Sequence, residues 1–227
     1  MSYVSLHNHT DNSIGFDGFQ TVKEMVTRAK ELGYPAIGQT EHGSLRGTIE
    51  FYEECKQQGI KPVLGIEFYF TPDCSIKDRK MTFHLCAYAM DQTGYYNMKL
   101  LDSYAYKEGN FYYKPRIDWH YIEKFNKGLI FSSACLQSII RSDDGERWFK
   151  KFHDLLGDRF YAEVQCNEMD EQREYNQKVI ALAQKYHTKV IVTTDAHYSI
   201  KEHAYYHKLW VGITGKTYHD TENYLFS

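Results

Sequence analysis

Short strand-like runs and longer helix-like runs alternate along almost the whole chain, and this alternation limits the fold more than any other feature. The apolar run 189–193 has the length of a strand, whereas 171–186 carries apolar residues at helical spacing. Such alternation is typical of α/β folds with a parallel sheet. Seven predicted strands fit an open doubly wound sheet or a closed barrel, and both folds place functional residues at the carboxyl ends of their strands.

The predicted elements cover the chain without a repeat or a low-complexity segment. Strands are predicted at 3–7, 36–38, 62–70, 82–89, 128–131, 160–164 and 189–193. Helices are predicted at 21–32, 44–58, 94–104, 117–125 and 171–186, with a last helix beginning near residue 201. Gly33 and Gly59 follow two of these helices, and glycine is the residue that most often ends a helix.

Side chains that bind metals lie on or just after every predicted strand. His7 and His9 end the first strand, and since alternate residues of an extended chain point to one face, both imidazoles can reach the same ion. Asp195 and His197 repeat this spacing after the last strand. The remaining candidates, at or near the ends of the other strands, are Glu41, His42, Glu67, His84, Cys135 and Glu163. The pattern predicts a metal site at the carboxyl ends of the strands.

The ligand types restrict which metal is bound. Imidazole mixed with carboxylate favours Zn, Mn or Fe, whereas Ca and Mg prefer shells of oxygen alone. About nine candidate ligands are too many for one four-coordinate ion, so two or three divalent ions are expected. In phosphatases and nucleases such clusters clamp the attacking and leaving oxygens of a phosphoester and generate hydroxide near neutral pH.

Six motifs occur in order and resemble those of one known family. They are His7-Asn8-His9-Thr10, Thr40-Glu41-His42-Gly43, Gly65-Ile66-Glu67, Phe83-His84-Leu85, Ser133-Ala134-Cys135-Leu136 and Thr194-Asp195-Ala196-His197-Tyr198. Together they resemble the PHP (polymerase and histidinol phosphatase) domain, most of all the N-terminal PHP domain of bacterial DNA polymerase III alpha subunits. Cysteine at position 135, where the phosphatase branch usually has histidine, points to the polymerase branch.

The resemblance implies an α/β fold, a distorted (β/α)7 barrel, with a trinuclear metal site at the C-terminal ends of its strands. Carried over motif by motif, the implied metal ligands are His7, His9, His42, Glu67, His84, Cys135, Asp195 and His197. The family has a ninth ligand in the loop after the first motif. Here that ligand is expected to be Asp17, which precedes Gly18, with Asp11 as the competing choice.

Three functions fit this ligand set. The first is a metal-dependent phosphoesterase, a hydrolase of phosphodiester bonds in nucleic acid with 3′-5′ exonuclease activity, in which metal-bound hydroxide attacks phosphorus. Glu41 or Asp195 would help the leaving oxygen depart, and Arg46 is a candidate phosphate contact. The second is a phosphomonoesterase for nucleotides or histidinol phosphate. The third is a non-catalytic PHP module of a divided DNA polymerase III alpha subunit, acting in DNA replication.

The composition narrows the expected partners. The net charge of −3 gives no overall attraction to nucleic acid, so for single-stranded DNA, the favoured partner, a local cationic strip and the metal ions themselves are expected to compensate. A nucleotide substrate and a polymerase chain are the other expected partners. The chain has five cysteines and no Cys-x-x-Cys pair, which argues against both a disulfide framework and a thiolate zinc knuckle.

The same sequence predicts the domain content and the location. Since no Asp-x-Asp pair of the kind a polymerase palm needs occurs, we expect one PHP domain over 1–227, without palm, fingers or thumb. The apolar runs are too short to cross a bilayer, and the first residues lack the features of a signal peptide. A cytoplasmic location, in a bacterial cell or a virus-infected bacterial host, is therefore expected, with no membrane partner.

Overall fold

The structure is a computed structural model that describes residues 3–167 and 169–213. In chain order its elements are α1 (Val22–Glu31), β1 (Ala36–Gln39), α2 (Thr48–Gln58), β2 (Lys61–Phe70), β3 (Phe83–Ala89), α3 (Gln92–Ala105), β4 (Arg116–Ile117), α4 (Trp119–Phe125), β5 (Leu129–Ser132), α5 (Gly145–Leu156), β6 (Phe160–Gln165), α6 (Asp170–Tyr186), β7 (Lys189–Thr193) and α7 (His203–Ile213). The chain divides into two compact units, Met1–Gly65 with Thr193–Ser227, and Ile66–Val192.

The first unit packs around one face of α1. Thr21 begins this helix with a capping box, because its hydroxyl accepts a hydrogen bond from the Glu24 backbone N–H and the Glu24 carboxylate accepts one from the Thr21 backbone N–H at 2.7 Å. The apolar residues of α1 recur at helical spacing and are buried against residues of β1 and α2. This core consists of Val22, Met25, Val26, Ala29, Ile37, Phe51, Cys55, Ile60 and Ala196.

Strand pairing in the first unit joins β1 to the start of β2. The two strands run parallel, with Ala36 opposite Lys61 and Gln39 opposite Leu64. Residues 3–9 lie beside β1 as an extended segment, which forms the isolated parallel bridge Ser5–Ile37 and a hydrogen bond from the Gly38 backbone N–H to the Ser5 carbonyl. This arrangement leaves the end of that segment next to the end of β1.

The sheet of the second unit has the strand order β2-β3-β5-β6-β7, with β4 paired to β2 outside this path. β5 and β6 are parallel, whereas β3 and β5 are antiparallel, with Cys86 opposite Ser132 and Ala89 opposite Leu129. The core beneath this sheet is aromatic: the Phe152 ring lies 5.5 Å from those of Phe70 and Phe160, centroid to centroid. Each such buried ring contributes about 1.5–3 kcal/mol through its removal from water.

The structure differs from the sequence prediction at several elements. The predicted strand 3–7 forms only isolated bridges, because the Asn8 side chain instead bonds the Ser5 and Gly38 carbonyls at 3.2 and 2.9 Å. Helix α2 begins at Thr48, four residues late, because Gly47 before it has a left-handed backbone. We expected parallel strands, but β3 and β5 pair in antiparallel directions, because the intervening elements α3, β4 and α4 bring the chain back in the opposite direction. Helix α5 and the short strand β4 were absent from the prediction.

Candidate metal centre

Two histidine segments of the first unit lie side by side because their backbones pair. The backbone N–H of His9 donates to the Ala196 carbonyl at 2.9 Å, and the Ala196 N–H donates to the His7 carbonyl at 3.2 Å. Gln20 adds a side-chain hydrogen bond to the His9 carbonyl at 2.8 Å. Residues 7–9 and 195–197, almost two hundred positions apart in sequence, therefore present their side chains to one place.

The first donor group consists of His7, His9 and Asp195. One Asp195 carboxylate oxygen, Oδ1, lies 3.2 Å from His7 Nε2 and 3.1 Å from His9 Nε2, and the two Nε2 atoms are 3.2 Å apart. Burial by itself would raise the pKa of Asp195, but the neighbouring imidazoles of His7, His9 and His197 hold it well below its usual range. Three buried donor atoms therefore converge, and the carboxylate among them is ionised.

The second donor group consists of His9, His42, His197 and Asp17. The ligating nitrogens of the three histidines lie within 4.8 Å of one another. Asp17 brings Oδ2 to 3.3 Å from His42 Nε2 and Oδ1 to 4.0 Å from His197 Nε2. His197 Nδ1–H donates to the Asp195 carbonyl at 2.8 Å, which fixes the ring and leaves Nε2 as its ligand atom. This group shares His9 with the first group.

The third donor group lies in the second unit and consists of Glu67, His84 and Cys135. His84 Nδ1 is 3.0 Å from Glu67 Oε1 and 3.4 Å from Cys135 Sγ, and the thiol lies 3.7 Å from the same carboxylate oxygen. Glu67 lies on β2 and His84 on β3, while Cys135 follows β5. The His84 backbone N–H donates to the Gln137 carbonyl at 2.9 Å, which ties the loop of Cys135 to β3.

Unusual backbone conformations coincide with these donors. Within residues 3–167 and 169–213, five non-glycine residues have a positive φ, and three of them are Asp195, Phe16 before Asp17, and Ala134 before Cys135. Each costs about 1–3 kcal/mol, so the surrounding contacts must hold it in place. Such strain is concentrated where ligands are positioned rather than spread over the fold.

The competing acids of the loop 10–18 have different surroundings. Asp17 is buried beside His42, and a Cβ added to Gly15 would come within 2.5 Å of its carboxylate. Asp11 is exposed and lines a cavity of about 510 Å³ together with Phe19, Tyr206 and Trp210. The structure therefore brings Asp17, and not Asp11, together with the histidines.

The other predicted site residues, Glu41, Glu163 and Arg46, lie outside the three donor groups described above. Glu41 accepts hydrogen bonds from the Thr10 backbone N–H at 2.9 Å, the Thr10 hydroxyl at 2.5 Å and Gln39 Nε2 at 2.9 Å. Burial raises the pKa of Glu41 to about 7, against the lowering effect of these hydrogen bonds. Glu163 is buried and accepts from the Ser132 hydroxyl at 2.5 Å. Arg46 is exposed in the turn before α2.

His207 is a supporting residue outside the predicted ligand set. It is buried on α7, and its Nε2–H donates to the Asp17 carbonyl at 2.7 Å. Its ring also lies 5.7 Å from that of His197. In the sequence, the neighbouring Tyr205, Tyr206 and Trp210 suggest that His207 lies near the rim of a pocket, but they do not reveal its partner.

The donor atoms fit divalent metal ions. Imidazole nitrogens, carboxylate oxygens and one thiol converge in three groups, a mixture that suits Zn, Mn or Fe. The residues that would hold the ions are His7, His9, Asp17, His42, Asp195 and His197 in the first unit and Glu67, His84 and Cys135 in the second. Nearby backbone and carboxylate partners orient several of these ligands, as is usual at metal sites.

Comparison with known protein families shows to which family the chain belongs. The family model of the PHP domain matches residues 5–167. The chain belongs to the PHP family. This PHP chain is 41% identical to the DNA polymerase III subunit alpha of Aquifex aeolicus and 36% identical to that of Thermus aquaticus, over 96% of its length in both cases. The chain spans about a fifth of the length of these relatives.

Solved structures show the same fold at low sequence identity. A provisionally assigned metal-dependent phosphoesterase from Bifidobacterium adolescentis matches 87% of this chain and 88% of its own, at a TM-score of 0.56 and 16% identity. An amidohydrolase from Chromobacterium violaceum, solved with sulfate and no metal, matches 86% of this chain and 87% of its own, at 0.56 and 17%. The predicted fold class, an α/β chain of the distorted (β/α)-barrel type, is confirmed.

The domain content and the location of the chain remain predictions. The family match covers residues of both compact units, and a single PHP domain over 1–227 stays a prediction. Residues 214–227 lie outside the described residues. Among the residues that the structure describes, no helix is long and apolar enough to cross a membrane. The cytoplasmic location likewise stays a prediction.

Proposed function

We propose that this PHP domain is a metal-dependent phosphoesterase that hydrolyses phosphodiester bonds of nucleic acid from the 3′ end. The observation that carries the proposal is the complete donor set: each of the three groups keeps every nitrogen, oxygen or sulfur ligand, with none replaced by a residue unable to bind metal. Two groups that share His9, and a third group around Glu67, favour two or three ions. When bound, such ions acidify water to give a nucleophile near neutral pH and neutralise charge on the phosphate.

The chain's own residues prepare the site for this chemistry. Asp195, held ionised by its imidazole neighbours, supplies negative charge where the first donor group needs it. The Asp195 carbonyl orients His197, and the His207 ring supports the Asp17 loop from behind. Because these contacts exist before substrate arrives, little reorganisation is needed during the reaction. Arg46, in its exposed turn, remains our candidate contact for a substrate phosphate.

Glu41 is proposed to act as a positioning residue. Its carboxyl group is occupied by Thr10 and Gln39, so it fixes the segment that carries His9 rather than protonating a leaving oxygen. Glu41→Gln should lower the metal content, and activity should return when more Mn is added. A loss of kcat that excess Mn does not restore would instead support the original prediction of a general acid. Asp195, the other predicted acid, has a pKa held below its usual range, so we propose it as a metal ligand rather than as a proton donor to the leaving oxygen.

The test uses 5′-labelled single-stranded DNA with Mn. Wild-type protein should shorten the strand stepwise from the 3′ end, and Asp195→Asn should lose this activity. Asp154→Asn is the matched control, because Asp154 is an exposed partner of Lys150 on α5. Release of phosphate from p-nitrophenyl phosphate, with DNA left intact, would replace the proposal with a phosphomonoesterase.

Similarity to DNA polymerase III alpha subunits favours a second candidate, a non-catalytic module of a divided polymerase. This chain matches about a fifth of the length of these relatives, so a role beside a separate polymerase chain is proposed and not transferred from them. Metal binding without turnover of DNA or phosphomonoester, in both wild type and Asp154→Asn, would support this candidate over the hydrolase.

A further inference from the structure

Two loops of the second unit, 76–82 and 106–116, carry cations and aromatic rings in a small stretch of surface. They contain five cationic side chains that are at least partly exposed, Lys77, Arg79, Lys80, Lys107 and Lys114, and only two acidic ones, Asp78 and Glu108. The chain as a whole has a net charge of −3, so these loops have the opposite sign to the protein. We refer to them as the cationic-aromatic surface.

Arg116 joins the two loops into one structure. Its side chain is fully buried, and it donates to the Ile76 carbonyl through Nη1 at 2.8 Å and to the Asn110 carbonyl through Nε at 3.1 Å. Lys77 adds a second link through a hydrogen bond to the Gly109 carbonyl. These hydrogen bonds hold the two loops in a fixed arrangement, so the side chains that point outward from them are also held in defined positions.

The rings on this surface are exposed to an unusual degree. Tyr113 is 60% exposed, Phe111 48% and Tyr106 47%, although each would gain free energy if it were covered. The Arg79 guanidinium carbon lies 3.2 Å from the centre of the Tyr113 ring, and the Tyr106 and Phe111 rings are 6.3 Å apart. The surface thus presents aromatic faces with positive charge beside them.

The backbone at Tyr113 adds an independent observation. Tyr113 has a φ of 58°, a left-handed conformation that is unfavourable for a residue with a bulky side chain. A bridge between Tyr112 and Lys114 closes a tight turn around it. The strained residue lies at the tip of a loop, where its ring contacts Arg79 and Tyr112 and still remains 60% exposed. Strain at such a position points to a ligand contact.

We propose that the cationic-aromatic surface binds single-stranded DNA, with bases stacked on the exposed rings and phosphates paired with the cations. Proteins that bind single strands combine these two features, and only unpaired bases offer their faces to such rings. The DNA strand bound there would be the substrate of the phosphoesterase, and in this respect the inference rests on the function proposed above. The surface also supplies the local positive charge that the acidic chain as a whole lacks.

The test is a binding titration of the full chain. Fluorescence anisotropy would follow a 5′-fluorescein thymidylate 12-mer with phosphorothioate linkages, which resist hydrolysis during the titration. The test variant is Arg79→Gln with Tyr113→Asn, because asparagine tolerates a positive φ and the loop should still fold. The matched control is Lys56→Gln with Tyr52→Asn, a cation–ring pair on α2 whose Lys56 Nζ lies 5.3 Å from the ring centre. Thermal melting would check that both proteins fold.

The expected result is a dissociation constant at least about fivefold higher for the Arg79/Tyr113 variant, since one stacked base alone accounts for that factor. The dissociation constant of the control should stay within about twofold of wild type. In the test variant, the slope of the logarithm of affinity against the logarithm of salt concentration should decrease by the amount that about one phosphate contact contributes. Equal affinity in test variant and wild type, or an equal loss in the control, would overturn the proposal. Absence of binding by wild type would overturn it as well.

The same proteins separate this proposal from the proposed function. Hydrolysis of bis(p-nitrophenyl) phosphate with Mn reports on the metal centre without a strand. Wild type that hydrolyses this diester but fails to bind the oligonucleotide refutes the surface and leaves the phosphoesterase in place. Wild type that binds through Arg79 and Tyr113 but hydrolyses nothing supports the surface and refutes the function.

Discussion

Replacing Arg116 by lysine tests how the second unit holds its loops. Arg116 is fully buried, and its guanidinium donates to three carbonyls: Ile76 at 2.8 Å, Cys74 at 2.9 Å and Asn110 at 3.1 Å. A lysine keeps the charge, but its single ammonium group cannot reach three carbonyls that the planar guanidinium meets from different edges. We therefore expect Arg116→Lys to leave two of these hydrogen bonds unmade.

The structure gives the size of the effect. Hydrogen bonds that involve a charged group contribute about 1.5–3 kcal/mol each, so losing two lowers the free energy of unfolding by about 3 kcal/mol or more. For a protein of this size that is a fall of about 6–12 °C in the melting temperature. Urea and thermal unfolding followed by circular dichroism would measure both quantities.

The control is Arg173→Lys, because Arg173 makes an exposed ion pair with Asp170 on α6 and should change stability by less than about 0.5 kcal/mol. A loss below about 1 kcal/mol in Arg116→Lys would refute the reasoning that this buried guanidinium fixes the loops. The urea m-value should stay unchanged in both variants, which shows that the same surface is exposed on unfolding.

Two further predictions concern close packing and thiol access. Gly94→Ala in α3 would bring a Cβ to 1.8 Å from the Gly128 carbonyl oxygen and should lower the free energy of unfolding by about 1–3 kcal/mol. Gly212→Ala in α7 places a Cβ with no atom within 4 Å and should raise the free energy of unfolding by up to about 1 kcal/mol. Equal effects of the two substitutions in thermal unfolding would contradict this prediction. Ellman's reagent at pH 8 should label one thiol of the native protein, that of exposed Cys166, because burial raises the pKa of Cys55 and Cys74 to about 12 and Cys86 and Cys135 are also buried. Undiminished labelling in Cys166→Ser would show that another cysteine is accessible.

The chemistry of the site was the most predictable part of this molecule. His7 and His9 share the i, i+2 spacing of an extended chain, and their Nε2 atoms lie 3.2 Å apart as that spacing predicts. Asp195 and His197 have the same spacing but a left-handed backbone at Asp195, and their side chains contribute to different donor groups. Metal ligands must have specific atoms, so the sequence limits them strongly. Helices α1 and α6 were also close to their predicted bounds, because their apolar residues follow the helical period.

Contacts between distant segments were not predictable in the same way. The antiparallel β3–β5 pair depends on how two helices return the chain, and no local pattern encodes that direction. The support of Asp17 by His207 joins positions 190 residues apart and uses a histidine that resembles any other on a helix. Helix α5 does carry helical spacing at Trp148, Phe149, Phe152 and Leu156, so the signal was present there, between two glycines that suggest turns.

The most direct test of the account is the metal content of the purified protein and three variants. Inductively coupled plasma mass spectrometry should find two or three Zn, Mn or Fe ions per wild-type chain. Asp195→Asn should lose metal from the first unit, Cys135→Ala should lose the ion of the second unit, and Asp154→Asn should match wild type. Wild type without bound metal, or the same content in all four proteins, would contradict the claim that these donor groups hold metal ions.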